Sequence, residues 1–230
     1  MTVSVLRFLF LAAAMVCALL AAGPHDSATA QDKIDIDDLR IRAERGDKAA
    51  ARQLAHAYYL GRDGAGQNFS EAARWYLKLA KQGDARSQTS IGLMYARGYG
   101  VRKDPEEARK WWILAAVQNE PGAQFNLGLL YARGDGVAQD YAQAFRWYRE
   151  AAMRDHVQAQ HNLGMLYHEG KGARRDPVRA YYWIAIAARQ GDDMAQESLK
   201  TVAAGVTPEQ IDMASEQVNA WFRKAKKVWR

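Results

Sequence analysis

Three sets of side chains have the types that could do chemistry. His161 and His168 could ligate a metal, Asp104, Asp140 and Asp176 with Asn68 could supply acid–base groups, and Cys17 is the single thiol. On a helix the spacing of the two histidines separates them by about 10 Å along the axis, too far to share one ion, and no third ligand stands at a matching phase. The acids recur immediately before segments of helical periodicity, where a short polar side chain accepts from the free amides of a first turn. Capping therefore accounts for both their identity and their register. Cys17 lies in an apolar leader, so the chain beyond it can form neither a disulfide nor a thiolate metal site. Neither Ser-x-x-Lys nor Gly-x-Ser-x-Gly, the usual settings of an activated serine, occurs. The expectation is a protein without a cofactor and without catalysis.

The elements that carry these residues repeat. Leu-Gly-x-x-Tyr-x-x-Gly-x-Gly begins at Ile91, Leu127 and Leu163, 36 residues apart, with a variant at Leu54. A segment of this size is one supersecondary unit that cannot bury its apolar face alone, so copies stack and share a core. In the second copy Ser87, Ile91, Met94 and Tyr95 gather on one face of a first helix, and Gly98 ends it. Gly100 then loosens the turn, as Gly136 and Gly172 do after Gly134 and Gly170. The second helix opens on Asp104, with Pro105 at its first position and Glu107 completing a capping box, repeated by Glu71 and Gln143 and broken by Arg179. Its body sets Trp75, Trp111, Trp147 and Trp183 among alanines, such as Ala108 and Ala115 around Trp111. Large rings against small residues let helices approach closely. A ladder of exposed indoles that stacks on sugars is the competing reading.

These residues resemble the Sel-one-like repeat family, relatives of the tetratricopeptide repeats. Ala123, Leu127-Gly128-Leu129-Leu130-Tyr131, Gly134, Gly136, Asp140, Ala144, Trp147, Tyr148, Ala151 and Ala152 follow its pattern. The first copy departs most, with Ala55 and Ala57 at the glycine and methionine positions and one extra residue between Gly61 and Gly66. The resemblance implies an all-α, right-handed α-solenoid of about four and a half helix–turn–helix repeats. It also implies a secreted or periplasmic adaptor or regulator that binds a partner protein or peptide on its concave face. A cell-wall enzyme or ligand-binder is the alternative, and the paired cysteines of the family members described in that role are absent.

The chain ends set the compartment. Arg7 precedes an unbroken apolar run from Phe8 to Ala22, and Ala28-Thr29-Ala30 places small residues where a signal peptidase reads, so Gln31 is the expected mature start. The run falls short of the roughly 20 residues that a bilayer-spanning helix needs, which argues against an anchor and leaves no integral span after cleavage. Without Arg7 and Asp26, 31 basic residues face 25 acidic ones and the net charge remains +6. That surplus is modest, does not indicate nucleic acid, and favours anionic partners. The expected layout is a signal peptide over 1–30, a capping helix over 31–45, repeats over 46–82, 83–118, 119–154 and 155–190, and a half repeat with a C-terminal capping helix over 191–230. Thr207-Pro208-Glu209-Gln210 starts that last helix with a capping box. Ile211, Ala214, Val218, Trp221, Phe222, Ala225 and Trp229 form its apolar stripe. Its basic tail, Arg223, Lys224, Lys226, Lys227 and Arg230, either complements the helix dipole or makes weak contact with an anionic membrane or cell-wall surface.

Function should then lie in what varies between copies on the side of each first helix opposite its core. At about 100° per residue, those positions are Arg52 and His56 in copy one, and Arg86, Thr89, Leu93 and Ala96 in copy two. In copy three they are Gly122, Phe125, Leu129 and Ala132, and in copy four Gln158, His161, Met165 and His168. Leu93, Phe125, Leu129 and Met165 would floor a peptide groove, with Phe125 as its chief anchor because no repeat rule calls for an aromatic there. The histidines would make a pH-sensitive rim. Superhelical curvature could instead bury some of these side chains against neighbouring first helices.

Overall fold

Each copy closes its first helix on a left-handed glycine, and three of the four open it on a capping side chain, Asp47, Asp84 or His156; these signals define the helices. The computed structural model describes residues 35–228, with side chains described through Lys224. The signal segment, the cleavage site before Gln31, and the tail side chains of Ala225, Lys226, Lys227, Trp229 and Arg230 lie outside the described residues.

Eleven helices and no strand occur among the described residues. A front helix, α1 (Ile36–Glu44), precedes four pairs: α2 (Lys48–Leu60) with α3 (Phe69–Lys81), α4 (Ala85–Arg97) with α5 (Pro105–Ala116), α6 (Pro121–Arg133) with α7 (Tyr141–Ala152), and α8 (Val157–Glu169) with α9 (Pro177–Arg189). Then follow α10 (Asp193–Ala203) and a long closing helix, α11 (Pro208–Val228). From α1 to α10 each helix packs on the next, and α11 returns to cover α9. The first helices of successive copies, α4, α6, α8 and α10, also touch one another directly, whereas the second helices of the middle copies stay further apart. The first helices thus line one side of the stack, called its inner face below.

The capping acids act as expected in one direction only. Asn68, Asp104, Asp140 and Asp176 accept from the third-position amides of α3, α5, α7 and α9 at 2.9 to 3.1 Å. The return bond of the capping box is not made. The backbone N–H of each cap donates instead to the carbonyl of the repeat tyrosine, Tyr58, Tyr95, Tyr131 or Tyr167. Glu71 and Glu107 are thereby free to pair with Arg74 and Lys110. Among the described residues only Thr207 and Gln210, which have no preceding tyrosine, close a reciprocal box.

The packing of the second helix is corrected by one residue. Trp75 is buried, but Trp111, Trp147 and Trp183 are only half-buried, and the deep position is the next one, Tyr76, Trp112, Tyr148 and Ile184. Its side chain fills the space above the glycine of Leu-Gly: a Cβ on Gly92 would enter the Trp112 indole, on Gly128 the Tyr148 ring, and on Gly164 the Ile184 side chain. The glycine thus sets how closely the two helices of a copy approach. The second glycine of each turn also does more than loosen it. A Cβ on Gly100 or Gly172 would collide with the carbonyl of Phe69 or Tyr141, and one on Gly136 would press on Pro105, so each turn rests on the start of the preceding copy's second helix.

One further repeat element went unread in the sequence. Gln88, Gln124 and Gln160 are buried, and each donates to the carbonyl of Ala80, Ala116 or Ala152 across a joint between copies. Gln118 and Gln190 complete the first and third by donating to Gln88 and Gln160. At the middle joint Arg154 stands in that place and turns to Glu150 and Asn119, leaving Gln124 Oε1 without a partner.

Candidate functional site

The variable inner positions divide into two rows with different roles. The first row holds Arg52, Thr89, Phe125 and His161. Arg52, Phe125 and His161 each meet the N-cap residue of the next copy's first helix, so the row belongs to the joints between copies. Arg52 bonds Asp84, the cap of α4, at 2.6 Å. Burial would push the Asp84 carboxyl up, but hydrogen bonds from Ser87 and Arg52 outweigh it and hold it below its ordinary value. A Cβ on Gly122 would lie 3.4 Å from Thr89 Cγ2, so Thr89 stands near the start of α6. Phe125 stacks on His156, the cap of α8, with ring centroids 4.4 Å apart. His161 feels the charge of Asp192, the cap of α10, and its Nε2 lies 3.0 Å from Ser198 Oγ.

Two expectations about this row are therefore corrected. His161 is only 7% exposed, so it is a joint residue and not part of a rim; burial lowers its pKa despite Asp192. Phe125 is half-buried between His156 and Tyr148, so an inter-copy rule does call for a residue that suits the next cap. His156 itself had no place in the sequence reading. It replaces the usual acid as a cap, accepting from the Ala159 amide through Nδ1 at 3.3 Å, and burial lowers its pKa. The free edge of this region borders a shallow, open depression between the starts of α8 and α10, flanked by Asp155 and Asp192.

The second row, one helical turn further on, is His56, Leu93, Leu129 and Met165. His56 is exposed and the other three are half-buried, so their side chains retain open surface. Leu129 and Met165 also lean on the core, as the curvature reading foresaw for some of them. Arg86, exposed, lies two turns before Leu93. His168, half-buried one turn beyond Met165, keeps a shielded Nδ1 without a partner. The structure thus brings Leu93, Leu129 and Met165 into one line across α4, α6 and α8. It sets Arg52, Thr89, Phe125 and His161 apart from them.

Known proteins agree with this construction. Residues 48–84, 85–119, 121–156 and 157–192 each match the model of the Sel1 repeat. The chain belongs to the Sel1 repeat family. Among solved structures, this Sel1 repeat protein is similar to c5321, a protective antigen of uropathogenic Escherichia coli with an SLR fold. The two are 34% identical with a TM-score of 0.75, over 83% of this chain and 43% of that one. A Sel1 repeat protein from Oxalobacter formigenes is 32% identical with a TM-score of 0.66, over 74% of this chain and 49% of that one. A curated relative, the ERAD-associated E3 ubiquitin-protein ligase component HRD3A of Arabidopsis thaliana, is 33% identical over 66 residues, 29% of this chain and 10% of its own length. The chain spans less than half of the two solved structures and about a tenth of the plant protein. Sel1 repeat arrays are protein-interaction scaffolds, and this chain has that architecture.

Proposed function

We propose that this Sel1 repeat protein is exported and works in the periplasm or outside the cell as an adaptor or regulator, holding a partner protein along its inner face. The observation that carries this reading is the line Leu93, Leu129 and Met165. These three apolar side chains are half-buried, Leu129 and Met165 leaning on the core, and each keeps open surface on the first-helix side. The leader from Arg7 to Ala30 supports export.

Site-directed photo-crosslinking in the native host tests the binding face. A benzophenone residue at position 93, 129 or 165 should trap a discrete partner band, and one at the exposed Val117, just past the end of a second helix, should not. Equal trapping at Val117, or none from the inner line, overturns the reading. Mass spectrometry of the native protein should find an N-terminus at or near Gln31, and recovery of intact Met1 from membranes overturns export.

A further inference from the structure

The chemistry of the partner segment follows from what surrounds the apolar line. On α4 and α6 the residues one turn beyond Leu93 and Leu129 are Arg97 and Arg133, so each guanidinium continues the same helix face as the leucine before it. Both arginines are exposed, and neither is in an ion pair among the described residues. Arg86, exposed and also unpaired among the described residues, continues the line in the other direction. The acids nearby are mostly engaged: Glu169, the counterpart of Arg97 in copy four, is held by Lys171 at 2.8 Å, and Asp84 is held by Arg52. Asp135 in the turn after Arg133 and Glu120 at the start of α6 remain, at the two ends of the strip's central helix. The helix dipole favours a cation at a helix C-terminus, but it does not require that cation to stand in line with an open apolar row.

The spacing narrows the occupant further. The first helices α4, α6 and α8 touch one another, and packed helices lie about 8–10 Å apart. A polyproline-type segment places every third residue on one side at about 9.3 Å. A β-strand puts residues i and i+3 on opposite faces. An α-helix matches only with its heptad repeat, about 10.5 Å, and offers two apolar lines where this surface has one.

Resting on the inner-face reading above, we propose that the strip from Leu93 to Met165 binds an acidic, extended segment with an apolar residue at every third position. Its apolar residues sit on Leu93, Leu129 and Met165, and its carboxylates face Arg97 and Arg133.

Fluorescence anisotropy with the purified chain tests this, using a labelled (Leu-Glu-Pro)4 peptide, its (Leu-Lys-Pro)4 counterpart, an acidic heptad helix and phosphatidylglycerol vesicles. The acidic extended peptide should bind at least about tenfold more tightly than the basic one. It should lose about tenfold or more in the double variant Arg97→Glu, Arg133→Glu, whose exposed sites leave the fold intact, and should weaken as salt is raised. Equal binding of both peptides, no binding of the acidic one, tighter binding of the heptad helix, binding to vesicles alone, or indifference to the double variant overturns the proposal. If the crosslinks at 93, 129 and 165 still trap a partner, only the acidic, every-third-residue inference has failed; if they too are lost, the inner-face reading falls with it.

Discussion

The ring of Phe125 lies over the imidazole of His156, with centroids 4.4 Å apart and planes inclined by 20°. This stack shields the Nδ1 acceptor that caps α8 and helps to bury a histidine at the joint between copies three and four. Phe125→Ala should therefore act on stability, costing about 1–3 kcal/mol for a half-buried aromatic, and should raise the His156 pKa toward its ordinary value. Denaturant titration and an NMR titration of the His156 ring measure the two effects.

Acid should loosen the C-terminal half of the stack. Burial lowers the pKa of His156 and His161 from 6.5, and Asp192 only partly opposes this at His161. Below that value the unfolded chain therefore binds protons that the folded chain refuses. The stability is fully present above about pH 6.5 and is lost as pH falls through the lower folded values. Protonated His156 would also lose its cap acceptor and place a cation at a helix N-terminus, with Asp155 and Asp192 the charged groups facing the depression beside it. Hydrogen exchange between pH 7.5 and 5.5 should show α8 and α10 opening before α2 to α4.

Ranking the second-helix rings separates the two packing positions. Tyr148→Ala empties a site that is 2% exposed and should cost about 3–5 kcal/mol, whereas Trp147→Ala next to it should cost clearly less. Equal losses in chemical denaturation would contradict the assignment of the deep position.

Gly128→Ala tests the close approach. In an ordinary helix interior this change stabilises by about 1 kcal/mol, but here the new methyl meets the Tyr148 ring, and overpacking should turn the effect into a loss of about 1–3 kcal/mol. A higher melting temperature than that of the native chain would refute the contact.

At the first joint, Asp84→Ala removes both the cap on Ser87 and the ion pair with Arg52. The expected loss is about 1–2 kcal/mol, most of it from the cap because the ion pair is partly exposed. Arg52→Ala should cost a fraction of that in the same assay.

The helix order, the left-handed glycine stops and the capping acids were legible because each is a local signal with one physical cause, repeated at a fixed period. The Trp147–Tyr148 assignment failed because both residues are large and aromatic, and only the partner glycine on the facing helix distinguishes them. Reading Gly128 as a close-approach site would have found it. The inner line of Leu93, Leu129 and Met165 could be read by subtraction. The joint row could not be read that way, because Arg52, Phe125 and His161 each suit a cap about thirty residues later in the chain and have meaning only as halves of pairs. His156 was hidden for the same reason: an imidazole at a cap is unremarkable until Phe125 is seen above it.

The joint pairs bear on how such an array could be rearranged. Four copies of nearly the same unit could dock out of order, with one copy skipped or a neighbouring chain's copy inserted, because the alanines, glycines and rings fit equally well in any sequence. The residues Arg52 with Asp84, Phe125 with His156 and His161 with Asp192 remove that freedom, since exchanging two copies would set an arginine against an imidazole or a phenyl ring against a carboxylate. Each junction accepts its own neighbour and resists the others, so duplicating or deleting a copy requires a matching change at the next cap.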